Sequence, residues 1–163
     1  MKKPVVILLC LWLGYSGLTL ADAQSRDDFV LTDLEGQSIE LSSYRGKVVL
    51  VNFWATWCPP CVHELPSMQA LYESMAGQPF EVLALNMAEQ PDQVKSFLES
   101  FGTPLTFPIL MHADKSVAAA WKVRGLPTTV IIDKNGLRAL TWQGPRDWNS
   151  VEVRQLILPL LDQ

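Results

Sequence analysis

Cysteine is scarce in this chain: three in 163 residues, at Cys10, Cys58 and Cys61. Structural disulfides in exported proteins of this size usually join distant segments, and these few thiols offer no such framework. Charge is thin as well. Charged residues make up 18% of the sequence, with 13 Lys and Arg against 17 Asp and Glu, for a net charge of −4. The basic residues are scattered with no basic run, which argues against nucleic acid as a partner. Histidine occurs twice, as His63 and His112, so a zinc site would need both of them together with Cys58 and Cys61. There is no internal repeat and no low-complexity tract. The one long apolar run, Pro4 to Ala21, has 18 residues, just under the ~20 that cross a bilayer core.

What is present is apolar. Hydrophobic residues make up 48% of the sequence, which suits one ordered domain with a real core and falls short of two. The first residues bear on the compartment. Lys2 and Lys3 precede the apolar stretch, and Ala21-Asp22-Ala23 places small residues where a signal peptidase reads. Residues 1–23 are therefore expected to be a signal peptide, with Gln24 the first residue of an exported chain. The alternative is an uncleaved membrane anchor, weakened as a span by Gly14, Ser16, Gly17 and Thr19. Cleavage removes two of the basic residues and one of the acidic ones, shifting the net charge from −4 to −5, and it removes Cys10. The remaining pair, Cys58 and Cys61, closes almost no loop and stabilises little by chain entropy. Those two cysteines are there for chemistry.

Residues 24–28 read as a polar linker and 29–163 as the domain. Phe29–Leu31 and Ser38–Leu41 flank a turn at Asp33–Gly36, the pattern of an N-terminal hairpin. Lys47–Trp54, Phe80–Met87 and Thr128–Asp133 are strand-forming runs of the kind covered on both faces. Helical spacing is expected from about Pro59 to Ala76 with a kink at Pro66, over Gln93–Phe101, and over Ser116–Val123. Pro108–Met111 reads as a short strand, and Lys134-Asn135-Gly136 as a tight turn into Leu137–Gln143. A last helix, capped by Asp147 or Asn149, carries the stripe Val151, Val153, Leu156, Ile157, Leu160 and Leu161. Strands alternating with helices predict an α/β fold, a central mixed sheet with helices on both faces.

The stretch WATWCPPCVHELP sets Cys58 where a strand ends and a helix begins. The positive end of the helix dipole and its unpaired N–H groups favour an anion there. A fall in thiol pKa from ~8.5 to ~7 amounts to about 2 kcal/mol in favour of the thiolate. Cys61, one turn on, is placed to resolve a mixed disulfide. Covalent haem needs a histidine where Val62 stands. Zinc is disfavoured because His63 points some 200° around the helix from Cys61 on an ideal geometry. Copper through the thiols, His112, Met87 and Met111 suits soft ligands, although both methionines lie in apolar strand-like runs. Glu64, three residues past Cys61, reads either as a relay for the Cys61 proton or as a solvated helix carboxylate. Asn52, an amide in the preceding strand, cannot move that proton itself.

VVLVNFWATWCPPCVHELP followed by RGLPTTVIIDKNG closely resembles the thioredoxin superfamily. Within it the sequence is similar to exported thiol–disulfide oxidoreductases of the TlpA, ResA and cytochrome c maturation type. The resemblance spans nearly all of residues 29–163 and implies a thioredoxin-like fold, with residues 88–123 as a helix-and-strand insertion. It implies Cys58 as attacking cysteine, Cys61 as resolving cysteine, and Glu64 as the active-site glutamate. Pro127 matches a cis-proline facing the disulfide, and Trp57, Pro59, Pro60, Leu126 and Pro127 would meet the substrate. The expected activity is reduction of disulfides in exported clients of apocytochrome c or metallochaperone type, in the periplasm, with electrons from a membrane-bound donor of the DsbD type. No cofactor or metal is expected beyond the redox-active pair. A copper-binding module and a net oxidant are the alternatives; the proline and threonine spacing of a thiol peroxidase is lacking.

Overall fold

Two strands organise the chain. In β3 (Val48–Trp54) and β4 (Phe80–Met87) every residue is buried. Uninterrupted runs of Val, Leu and Phe require this, because both faces of the strand must be covered. In the computed structural model, which describes residues 28–163, the two pair in parallel, with Leu50 opposite Val82 and Asn52 opposite Ala84. β1 (Val30–Asp33) and β2 (Ser38–Glu40) form the expected hairpin. β5 (Ile109–His112), β6 (Thr128–Ile132) and β7 (Arg138–Gln143) complete a seven-stranded sheet in the order β2-β1-β5-β4-β3-β6-β7. β5 runs parallel to β4, whereas β1 lies antiparallel on β5, β6 on β3, and β7 on β6, so the sheet is mixed.

Helices cover both faces, as the alternating pattern demanded. Alternate residues of β3 and β4 point to opposite sides. Leu50, Val82 and Ala84 pack with α1 (Pro59–Ser74), α2 (Pro91–Ser100) and α4 (Val151–Leu161) through Leu65, Met68, Val94, Val153 and Ile157. Val51, Phe53, Leu83 and Leu85 pack on the other side with Val117 and Ala118 of α3 (Ser116–Ala120). There Trp121 meets Phe29 and Phe53 at ring-centroid distances of 5.8 and 5.6 Å.

Several boundaries differ from the sequence-based expectation for local reasons. α1 ends at Ser74, short of Ala76, and runs through Pro66 as one helix. α2 starts at Pro91, two residues early, because Gln90 and Gln93 close a capping box and proline suits the first helical position. α3 stops at Ala120 rather than Val123, since Lys122 adopts a left-handed φ of 56°. A 3-10 turn over Leu41–Tyr44 follows β2. The cap of α4 is neither Asp147 nor Asn149. Ser150 holds that position and accepts from Val153 N at 3.3 Å, while Asp147 is occupied by its own turn, accepting from Asn149 N at 3.0 Å. The expected signal peptide over 1–23 and linker residues 24–27 lie outside the described residues. Among the described residues no helix is long and apolar enough to cross a membrane.

The cap gives a direct test. Ser150→Ala removes an N-cap acceptor and should lower stability by about 1 kcal/mol, a fall of about 2–4 °C in Tm for a chain of this size. Ser150→Asp, which keeps an acceptor, should stay close to the parent. An unchanged melt for the alanine variant would show that the cap is elsewhere.

Candidate active site

The cysteine pair sits where β3 hands over to α1. Ala55 C=O accepts from Cys58 N at 3.2 Å, and Cys58 C=O accepts from Val62 N at 3.1 Å, so the turn and the first helical loop share one residue. Cys58 is the N-cap with extended backbone, and Pro59 and Pro60 open the helix, where their missing donors leave no gap. Cys58 and Cys61 form a disulfide with Cα atoms 5.3 Å apart. Cys58 is 5% exposed and Cys61 fully enclosed. A partner can therefore reach the pair only through Cys58.

Prolines occupy the first two helical positions of α1. Of the first three residues of α1 only Cys61 carries an N–H, so the helix end offers an anion at Cys58 its dipole and few direct donors.

Glu64 is not a solvated helix carboxylate. It is 1% exposed and follows Cys61 by one turn of α1. Oε1 accepts from Asn52 Nδ2 at 2.8 Å; Oε2 accepts from the Arg146 backbone N–H and the Trp148 indole N–H, each at 3.1 Å. Burial pushes its pKa up, and the hydrogen bonds from Asn52, Trp148 and Arg146 pull it down without cancelling that rise. Asn52 also donates to Thr129 Oγ1 at 2.9 Å across the β3–β6 pairing. Its own Oδ1 is buried without a partner among the described residues.

A second buried carboxylate, Glu89, ties down the turn before Cys58. It accepts from Thr56 N at 2.8 Å, from the Thr56 hydroxyl, and from Asn86 Nδ2 at 2.7 Å. Pro127 lies at the start of β6, which pairs with the end of β3, and the Leu126–Pro127 bond is cis. Pro127 C=O accepts from Gly144 N at 2.9 Å, whereas the Leu126 backbone carries no hydrogen bond among the described residues. Pro59, Pro60 and Trp57 are exposed, Trp57 at 66%. Trp57 and Leu126 line one cavity of about 370 Å³. The expected substrate-contacting residues Trp57 and Leu126 are thus brought together, with Pro127 next in the chain.

The groups weighed for metal binding are engaged elsewhere. His112 is enclosed at the end of β5, where its Nε2 accepts from Ala118 N at 3.2 Å. Burial pushes its pKa down, with Asp114 opposing. Met87 and Met111 belong to the cores on opposite faces of the sheet. His63 is exposed and lines a cavity with Pro66 and Arg146. Among the described residues no group of three or more His, Cys, Asp or Glu side chains is placed to hold a metal ion.

Sequence reasoning missed Trp148, Arg146, Thr129, Glu89 and Thr56. Trp148 is fully buried and donates to Glu64. Thr56 and Glu89 had a faint signal, since both adjoin strand ends on the motif's side of the sheet. Nothing in spacing announced the others.

A two-cysteine disulfide at a helix start, with a buried carboxylate one turn on and a cis-proline leading into the strand paired with β3, defines a redox protein of the thioredoxin fold. A model of the AhpC/TSA family matches residues 23–138. The thiol-disulfide oxidoreductase ResA of Geobacillus kaustophilus is 43% identical over 144 residues, covering 83% of this chain and 82% of its own. A thiol:disulfide interchange protein of the thioredoxin family from Chlorobium tepidum superposes with a TM-score of 0.69 at 27% identity, over 82% of this chain and 93% of that one. The exposed lipoprotein thioredoxin Etrx1 of Streptococcus pneumoniae gives 0.67 at 26% identity, over 83% and 98%. The chain belongs to the AhpC/TSA family of thioredoxin-fold proteins, and it is a thiol–disulfide oxidoreductase.

The Glu64 environment predicts a measurable titration. With its folded pKa above the unfolded value, Glu64 favours folding most below about pH 4.3, and that contribution is lost as pH rises through the folded pKa. Carboxyl carbon NMR should place its midpoint above that of ordinary glutamates. Trp148→Phe removes a donor to the charged form and should move the midpoint further up. A midpoint that falls, or stays put, would contradict the hydrogen-bonding account.

Proposed function

We propose that the protein is an exported disulfide reductase, in which the Cys58–Cys61 dithiol delivers two electrons to a disulfide of a client protein. Glu64 receives the Cys61 proton. The observation that carries this reading is the buried, three-donor carboxylate one helical turn beyond the enclosed Cys61. In the reduced protein the Cys58 thiolate attacks a client sulfur, breaking the client disulfide and forming a mixed disulfide. Cys61 gives its proton to Glu64 and attacks Cys58 Sγ. That closes the Cys58–Cys61 bond and releases the second client thiolate, and solvent protonates the two client thiolates. A carboxylate with a raised pKa suits this role, because a proton acceptor works best near the operating pH.

Asn52 can serve Glu64 in either state. With Glu64 ionised, its two amide hydrogens reach Glu64 Oε1 and Thr129 Oγ1. A half-turn of the amide presents Oδ1, with its two lone pairs, to a protonated Glu64 and to the threonine hydroxyl. Trp57, Pro59, Pro60, Leu126 and Pro127 form the client-facing surface, and the unbonded Leu126 backbone supplies a donor and an acceptor to an extended segment.

Reduction rather than oxidation is supported by Pro59 and Pro60. Strong oxidants of this fold owe their potential to a stabilised reduced form, and here two N–H donors that would stabilise a Cys58 thiolate are missing. No cofactor is needed, as the electrons reside on the sulfur pair. The signal-peptide pattern over 1–23, together with a structural relative that is an exposed lipoprotein, supports a location outside the cytoplasm. A periplasmic setting, clients of apocytochrome c or metallochaperone type and a DsbD-type membrane donor complete the proposal.

Turnover of insulin or glutathione disulfide tests it. Cys58→Ser should abolish exchange. Glu64→Gln should slow it by about 100-fold, the lower end of what a positioned proton acceptor contributes, and should flatten the pH dependence. Asn52→Leu should shift the pH profile with little loss of fold. Equal rates for Glu64→Gln and the parent from pH 5 to 8 would refute the role of Glu64.

A further inference from the structure

The cavity shared by Trp57 and Leu126 has an apolar floor of Met87, Ala118 and Val123, and its lining contains two cations, Lys115 and Arg124, and no carboxylate. In a chain of net charge −4 such a patch stands out. Both side chains are exposed, and neither makes an ion pair or a side-chain hydrogen bond among the described residues. A third exposed cation, Lys122, lies two residues past the end of α3. Two acids within two residues of lining residues, Asp114 and Glu89, make hydrogen bonds of their own. Asp114 accepts from the Ser116 backbone N–H at 3.0 Å and from its hydroxyl at 2.9 Å, and lies 3.4 Å from His112 Nδ1. Glu89 is buried beneath Thr56.

The backbone that presents these cations is unusual. Ala88, Lys115 and Lys122 are the described non-glycine residues with left-handed φ, at 60°, 58° and 56°. Lys115 lines the cavity, and the other two each adjoin a residue that does. Such conformations are uncommon outside glycine and persist where surrounding structure holds them. Lys115 and Lys122 therefore stand at constrained backbone positions beside the apolar slot.

We propose that this groove selects clients in which the reacting cysteine lies in an extended segment, with an apolar residue for the slot and Asp or Glu beside it for Lys115 and Arg124. The proposal rests on the reductase reading above. Single-sign charge around a low-dielectric cleft raises the encounter rate of the opposite charge and loses that effect in salt. A volume of about 370 Å³ falls at the small end of ligand pockets, about 300–1,000 Å³, which suits a single side chain and its backbone.

The test uses three peptides, identical except for Glu, Ser or Lys on both sides of a Leu-Cys pair, each carried as a mixed disulfide with glutathione. Pre-reduced protein is mixed with each in a single turnover. Two electrons pass from the Cys58–Cys61 dithiol to the peptide–glutathione bond, leaving both as thiols. The expected result is a second-order rate constant about tenfold higher for the Glu peptide than for the Lys peptide at low salt, collapsing toward unity at 0.5 M salt. Lys115→Glu/Arg124→Glu should invert the ratio. Because each ratio is taken within one protein, a general loss of activity does not affect it, and if the double variant fails to fold, the parent's salt dependence still decides. Equal rates for the three peptides at low salt would overturn the groove proposal and leave the reductase reading standing. Failure of the reduced protein to turn over any peptide would count against that reading itself.

Discussion

Three N–H groups from distant parts of the chain converge on the carboxylate of Glu64: the Asn52 amide from β3, and the Arg146 backbone and Trp148 indole from the segment between β7 and α4. An ionised carboxyl taken out of water without partners is strongly disfavoured. Each hydrogen bond to it recovers part of that loss. Burial still outweighs the three donors, so the Glu64 pKa stays above the ordinary carboxylate value. The same contacts fasten α1 to the central strand and to the chain's C-terminal quarter. Ser67 adds to this by accepting from Trp148 N at 3.0 Å. The bonds that satisfy the buried carboxylate also hold the tertiary structure together.

The thiols are placed by a parallel device on the other strand of the central pair. Glu89, just past β4, takes the backbone and hydroxyl of Thr56 and so fixes the short turn from Trp54 to Cys58. One carboxylate stands behind Cys61 and a second holds the approach to Cys58. The sheet register bears on both, since Asn52 lies opposite Thr129 and Trp54 opposite Asn86, which donates to Glu89.

How much of this could be read from sequence follows from distance along the chain. The runs of β3 and β4, the CPPC element at the strand–helix junction and the offset of Glu64 from Cys61 are local patterns, and the strand bounds of β4 came out as expected. The resemblance pointed to Pro127. The donors that turn Glu64 from a surface acid into a buried one lie 82 and 84 residues away, and no periodicity carries such contacts. The α4 cap failed for a subtler reason. Asp147, Asn149 and Ser150 are all good N-caps, and only the turn that absorbs Asp147 decides among them. Lys122 likewise gives no sign in composition of the left-handed backbone that ends α3 early.

The direction of electron flow depends on how far the site stabilises a Cys58 thiolate. With proline at the first two helical positions and a buried proton acceptor behind Cys61, the dithiol should be a strong reductant. A glutathione redox titration of the Cys58–Cys61 pair at pH 7 measures this directly. The account predicts a potential in the thioredoxin range, about −270 mV, and a value near about −120 mV, that of a dedicated oxidant, would contradict it.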